Sequence, residues 1–217
     1  MRSLGRQSSN SAAVSCRLLH WCTEAFWYDA SNLGSITKDG SNNVQQWNDL
    51  SGNARHLTQA TTTNEPVYTA SVLNSLAGIH FINANSITTN SMMATATFPV
   101  AQPFTVVVVF KNGAGGPNTT PGGMASFGLL VDGDINQSIT NRMILFAGRN
   151  DVSNHATYYA GTGNGVDTTV ILSANTAYHL AAIFNGASSS SDINGTTTTG
   201  SFEAALKSAF NTPQKPR

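Results

Sequence analysis

At 217 residues the chain is long enough for one sizeable β-domain around a single core, and its eleven acidic residues cancel its eleven basic ones. Charged residues make up only 10% of it, with Thr, Ser, Asn and Gly filling the polar positions. That argues against a nucleic-acid partner, which needs an excess of clustered Lys and Arg to displace counterions.

The same composition disfavours helices and suits many short strands, because Thr, Val, Ile and aromatic residues fit pleated, half-buried surfaces while Asn, Gly and Ser punctuate turns. Residues 1–15, rich in Ser, Asn and Ala, carry too little apolar surface to offset chain entropy, so residues 1–17 read as a flexible N-terminal arm. They hold Arg2, Arg6 and Arg17 but no continuous apolar run of the kind a secretory signal needs. No stretch reaches the ~18 apolar residues that span a bilayer, so no membrane segment is expected. Cys16 and Cys22 imply no disulfide framework: free thiols in a reducing cytosol are the expected state, a local disulfide the alternative, and a metal site would need further ligands that do not follow.

The folded body begins near Leu18 and is expected to run to residue 200 as one domain, with 201–217 as a C-terminal helix and tail. Turn signals recur at Gly34, Asp39-Gly40, Asn42-Asn43, Ser51-Gly52-Asn53 and Asn112-Gly113, the punctuation of a β-sandwich. Residues 78–82 (GIHFI) predict a strand. Residues 104–110 (FTVVVVF) predict the strongest one, and their unbroken apolar run suggests burial on both faces. Residues 112–123 (NGAGGPNTTPGG) are too rich in Gly and Pro for a ladder and read as a surface loop. Further strands are predicted at 124–131, 141–147, 167–172 and 178–184, the last as partner of 104–110. Asn194-Gly195 is a hairpin signal. Phe202, Leu206 and Phe210 recur every four residues and predict a helix over 202–210. No fixed-period repeat is visible, which disfavours a propeller or solenoid.

The most specific pattern lies in residues 26–68: W-x-D-A-S at Trp27, V-x-x-W-x-D-x-S-G-N from Val44 to Asn53, and Q-x-x-x-x-x-x-P from Gln59 to Pro66. This resembles the N-terminal part of concanavalin A-like lectin/glucanase, or laminin-G-like, jelly-roll domains of bacteriophage structural proteins and bacterial surface proteins. Residues 104–111 and 178–195 look like that family's central strand and its later strand with an NG turn, so the resemblance covers roughly residues 25–195. It implies an all-β, antiparallel jelly-roll sandwich. Two departures stand out. Residues 83–90 (NANSITTN) replace a glycine-aspartate run, removing carboxylates that would help hold a cation, and the strands that usually follow the NG hairpin are missing. Either the sheet is completed differently or a partner chain covers an exposed edge.

Within this frame Trp27 and Trp47 suit core anchors, each with a ring N–H that needs one acceptor. Asp29 and Asp49 suit acceptors for nearby backbone N–H groups, and Gly52 a turn that needs positive φ. Glycan hydrolysis on this fold uses two carboxylates alternating along one strand, whereas the only glutamates, Glu24, Glu65 and Glu203, have no Asp at the required spacing; the chain is therefore read as non-enzymatic. His20, His56, His80, His155 and His179 are scattered, which favours structural roles, and no G-x-S-x-G elbow supports a triad. Asp132, Asp134 and Asn136 offer oxygen ligands to calcium, the one cofactor considered, although a solvated turn is the simpler reading. Tyr158 and Tyr159 with Asn150, Asp151 and Asn154 form the candidate glycan surface, by stacking plus hydrogen bonding; one tyrosine in the core and one at the rim is the competing reading.

The function implied is that of a virion structural protein of a tailed bacteriophage, assembled in host cytoplasm and cohering with copies of itself or with other virion proteins on the head or tail. The alternative is a carbohydrate-binding receptor-recognition module or adhesin that meets a host-surface glycan.

Overall fold

The computed structural model describes residues 25–82, 91–96, 98–112, 129–133, 143–149, 155–160, 165–200 and 207–210. The expected arm, Cys16, Cys22, His20, the loop at 113–123 and residues 124–128 lie outside them. The strands, in chain order, are β1 (Ile36–Lys38), β2 (Val44–Trp47), β3 (Leu57–Thr58), β4 (Val67–Leu73), β5 (Leu76–His80), β6 (Phe98–Ala101), β7 (Phe104–Lys111), β8 (Leu129–Gly133), β9 (Met143–Arg149), β10 (His155–Ala160), β11 (Gly165–Ile171), β12 (Ala177–Phe184), β13 (Ser189–Ile193), β14 (Thr196–Gly200) and β15 (Lys207–Phe210). Helix among the described residues is confined to single 3-10 turns at Leu33–Ser35, Thr62–Asn64 and Gly186–Ser188. None is long and apolar enough to cross a membrane. The protein is all-β.

Every strand pair among the described residues is antiparallel. Two four-stranded sheets, ordered β14-β13-β12-β7 and β11-β10-β9-β8, are accompanied by the smaller sheets β1-β2-β3, β4-β5 and β15-β6. Residues 104–110 and 178–184 pair as expected, Phe104 opposite Phe184 through Lys111 opposite Ala177.

Alternation along β12 explains how this sheet makes a core. Tyr178, Leu180, Ala182 and Phe184 are buried, while His179 and Ile183 are exposed on the other face. On β13, Ser189, Ser191 and Ile193 point the same way as the buried set. The four buried β12 residues and Ile193 join Ala156 and Tyr158 of β10, Val106 of β7, Phe98 and Leu172 in one hydrophobic cluster fed by both four-stranded sheets. Phe184 lies at its centre, stacked on Phe104 at 4.7 Å between centroids and edge-on to Tyr158 at 6.0 Å. The sheets also meet at their β11 and β14 ends. Thr198 Oγ1 donates to the Thr168 carbonyl at 3.1 Å, and the buried Thr168 hydroxyl donates to the Ala156 carbonyl at 2.7 Å.

The Asn194-Gly195 turn forms as its sequence predicts, with φ of 49° and 88° at the two residues. The Asn194 side chain adds a second function: its Oδ1 accepts the His179 N–H at 2.8 Å, where a continuing ladder would place a backbone carbonyl. Asn194→Ala is expected to lower unfolding free energy by about 1–2 kcal/mol, from the lost acceptor and from alanine's lower tolerance of positive φ, since it lacks the polar group with which asparagine bonds locally. Urea denaturation at constant m-value checks this.

Two expectations are corrected. Residues 207–210 are not helical: β15 pairs with β6, Lys207 opposite Ala101 and Phe210 opposite Phe98. The four-residue spacing of the C-terminal segment is outweighed by a nonlocal ladder that satisfies the backbone of β6, a term no local pattern encodes. The 104–110 run is also not buried on both faces. Val106 is 3% exposed, but Val107 and Val109 are 59% and 65% exposed, because no described layer covers the outer face of this sheet.

Candidate functional site

Two regions carry the predicted residues. The first is the turn-rich segment before β1 and after β2. Asp49 is 7% exposed, and both its carboxylate oxygens are occupied. Oδ1 accepts the N–H groups of Trp27 and Ser51 at 2.9 Å each; Oδ2 accepts the Ser51 hydroxyl at 2.8 Å and the Arg55 N–H at 3.1 Å. Burial acts to raise its pKa, but these bonds outweigh it and hold the carboxyl below the ordinary range. The Asp49 N–H in turn donates to His56 Nδ1 at 3.1 Å, which assigns the proton of the neutral ring to Nε2. Gly52 has φ +91°, with open space around its α-carbon, so conformation rather than crowding requires glycine there.

Asp29 closes its own turn, its Oδ1 accepting the Ser31 N–H at 2.8 Å and hydroxyl at 2.7 Å. The Tyr28 hydroxyl donates to the Arg55 carbonyl, and burial, reinforced by the Asp49 charge, pushes that phenol upward. The Arg55 guanidinium sits 3.8 Å from the Phe98 ring centroid, a cation–π contact that ties this segment to β6. Trp47 packs against Tyr28 at 5.5 Å, and its buried Nε1 has no hydrogen-bond partner among the described residues. Trp27 is 41% exposed and its backbone N–H is held by Asp49, so it is not the core anchor the sequence suggests. The arrangement is structural: the Asp29 and Asp49 carboxylates are taken up by backbone N–H groups and serine hydroxyls of the chain itself.

The second region is the pair of four-stranded sheets. Tyr158 is 1% exposed on β10, with its hydroxyl toward Ser191, and burial pushes its pKa up. It is a core residue and does not face solvent, so its own ring is not offered to a sugar. Tyr159 follows it on β10, opposite Ile144 and Gly165. Asn150, Asp151 and Asn154 lie outside the described residues. So do Asp134 and Asn136, while Asp132 lies on β8 opposite Ile144 rather than in a turn. Among the described residues no three His, Cys, Asp or Glu side chains gather as metal ligands.

What sequence reading missed is the outer face of the β14-β13-β12-β7 sheet. There Val109 lies opposite His179, Val107 opposite Ala181, and Thr105 opposite Ile183. Ile183 is 40% exposed and completes an apolar patch with the two valines. Beyond it the rows continue through Ser190 and Asp192 to Thr199 and Thr197. The only signal available was strand alternation, which a run of four valines hides. Comparison of the chain with protein-family models, with characterised proteins and with solved structures returned no match.

Proposed function

We propose that this chain is a non-enzymatic structural protein of a tailed-bacteriophage virion, a concanavalin A-like jelly-roll sandwich displayed on the head or tail that acts by subunit cohesion, as decoration, cement or fibre component. The observation that supports this reading is the outer face of the β14-β13-β12-β7 sheet. Val107, Val109 and Ile183 stand exposed there among threonines and serines, with Lys111 and Asp192 as the charged residues on the same rows. Such a face loses little by desolvation and gains by exclusion of water from the valines, which suits permanent contact with a neighbouring subunit. Zero net charge leaves no long-range repulsion between copies.

The competing reading, a receptor-binding glycan module, loses one of its two stacking residues to the core, since Tyr158 is buried. Light scattering over a concentration series, on the full chain and on the chain lacking residues 1–15, separates the two. Cohesion predicts concentration-dependent oligomers that weaken when the arm is removed. A monomer indifferent to truncation that binds one sugar saturably on a glycan array overturns it in favour of recognition.

A further inference from the structure

The edge of the sheet is more informative than its face. β7 ends the order β14-β13-β12-β7, so one side of it is paired with β12 and the other has no strand beside it among the described residues. The Asn112 N–H donates to the Thr176 carbonyl, immediately beyond the pair Lys111–Ala177. Hydrogen-bonded pairs alternate along an antiparallel ladder, so even-numbered residues of β7 turn their N–H and C=O toward β12. The odd-numbered residues Thr105, Val107, Val109 and Lys111 turn theirs outward. The next ladder agrees: the Asn194 N–H donates to the His179 carbonyl, so odd residues of β12 face β13 and even ones face β7. An eight-residue strand of this kind is a ready template for another strand.

We infer that the occupant of this edge is β7 of a second copy, paired antiparallel about a two-fold axis through Val108. The deduction rests on parity. Residues directly opposite each other must share a face, so that both cores stay on one side of the joined sheet; the numbers of paired residues must therefore sum to an even value. Centring on Val108 sets Val107 opposite Val109 of the second copy and Thr105 opposite its Lys111, with each relation repeated by symmetry. All four outward-facing residues then form hydrogen-bonded pairs. Centring on Val107 instead sets Lys111 opposite Pro103, which has no N–H to give. The Val108 register places no like charges opposite each other. It also brings the exposed Val107 and Val109 of both copies into one four-valine cluster across the seam. This inference deepens the cohesion reading, on which it rests for its biological use, by naming the partner and the contact.

Analytical ultracentrifugation of the full-length chain tests it with three variants at positions that are 59% and 65% exposed, so the fold itself is not at stake. V107E and V109K each place two like charges on a diagonal across the seam, and each change counts twice by symmetry. Either alone is expected to raise the dimer dissociation constant at least about tenfold. The double variant V107E/V109K sets Glu opposite Lys at both symmetric pairs and is expected to recover association close to that of the unaltered chain. An unaltered chain that stays monomeric overturns the proposal. Association that neither single change weakens also overturns it, while leaving cohesion through another surface intact. Single changes that weaken association without recovery in the double variant overturn the Val108 register.

Discussion

Replacing Asp49 with alanine is expected to lower the free energy of unfolding by about 3–5 kcal/mol, the range for stranding several donors at a buried carboxylate. The magnitude follows from what the carboxylate does. It gathers the N–H groups of Trp27, Ser51 and Arg55 and the Ser51 hydroxyl, so its loss leaves backbone donors from two separated segments without an acceptor. Asp49→Asn is not a mild replacement: the amide can keep one oxygen for Trp27 and Ser51 but must then point an NH2 group at the Arg55 N–H. A pH dependence accompanies the effect. The folded pKa lies below the ordinary carboxyl value, so the contribution is present above the unfolded pKa of about 3.9 and is lost as pH falls through the folded one. Urea titrations of the two proteins should therefore differ most near neutral pH, and the difference should narrow at strongly acid pH, where the protonated carboxyl still fills the site and keeps an acceptor oxygen. A constant difference down to the lowest pH would show that the charge on Asp49 contributes nothing.

Phe184→Ala is expected to cost about 3–5 kcal/mol by removing a fully buried ring and leaving a cavity. Phe184 is 0% exposed and touches both four-stranded sheets, through Phe104 on one and Tyr158 on the other. If the two sheets share one core, thermal unfolding of the variant stays a single transition at lower temperature, because both sheets lose the same support. Two separated transitions, with only one shifted, would show that the sheets fold independently. The contrast with an outward neighbour is informative. Ile183 lies one residue away on the opposite face, 40% exposed, and Ile183→Ala should change stability by less than about 1 kcal/mol.

Much of this arrangement was legible in the residues themselves, where a local cause was sufficient. Asn194-Gly195 encodes its turn because the positive φ values it needs are ones those two residues tolerate. Asp49 was legible as a turn acceptor because the S-G-N sequence after it places donors within two residues, although the long-range bond from Trp27 was not. The pairing of β7 with β12 could be anticipated because both are strongly apolar and of equal length.

Other features depended on nonlocal terms. A run of valines reads alike whether a sheet is covered on one face or two, so the exposure of Val107 and Val109 depended on whether a further layer is present. Strand β10 hid behind flanking Asn and Asp residues that signal a loop, so strand alternation allowed one of Tyr158 and Tyr159 in the core without saying which; pairing with β9 and β11 carries Tyr158 there. The C-terminal segment fits a helical spacing over 202–210, yet its last four residues complete a ladder with β6, about a hundred positions earlier in the chain. An exposed sheet edge was one of two alternatives the resemblance left open, but its place on β7 was not legible, since an edge strand is defined by the neighbour it lacks.

The central claim, that the chain serves a phage particle by cohering within it, is tested most directly by mass spectrometry of virions purified from infected cells that make this chain. The account predicts that the chain sediments with intact particles through a density gradient, in a copy number matching a symmetric lattice or fibre. Recovery of the chain only in the particle-free fraction of the lysate would contradict it.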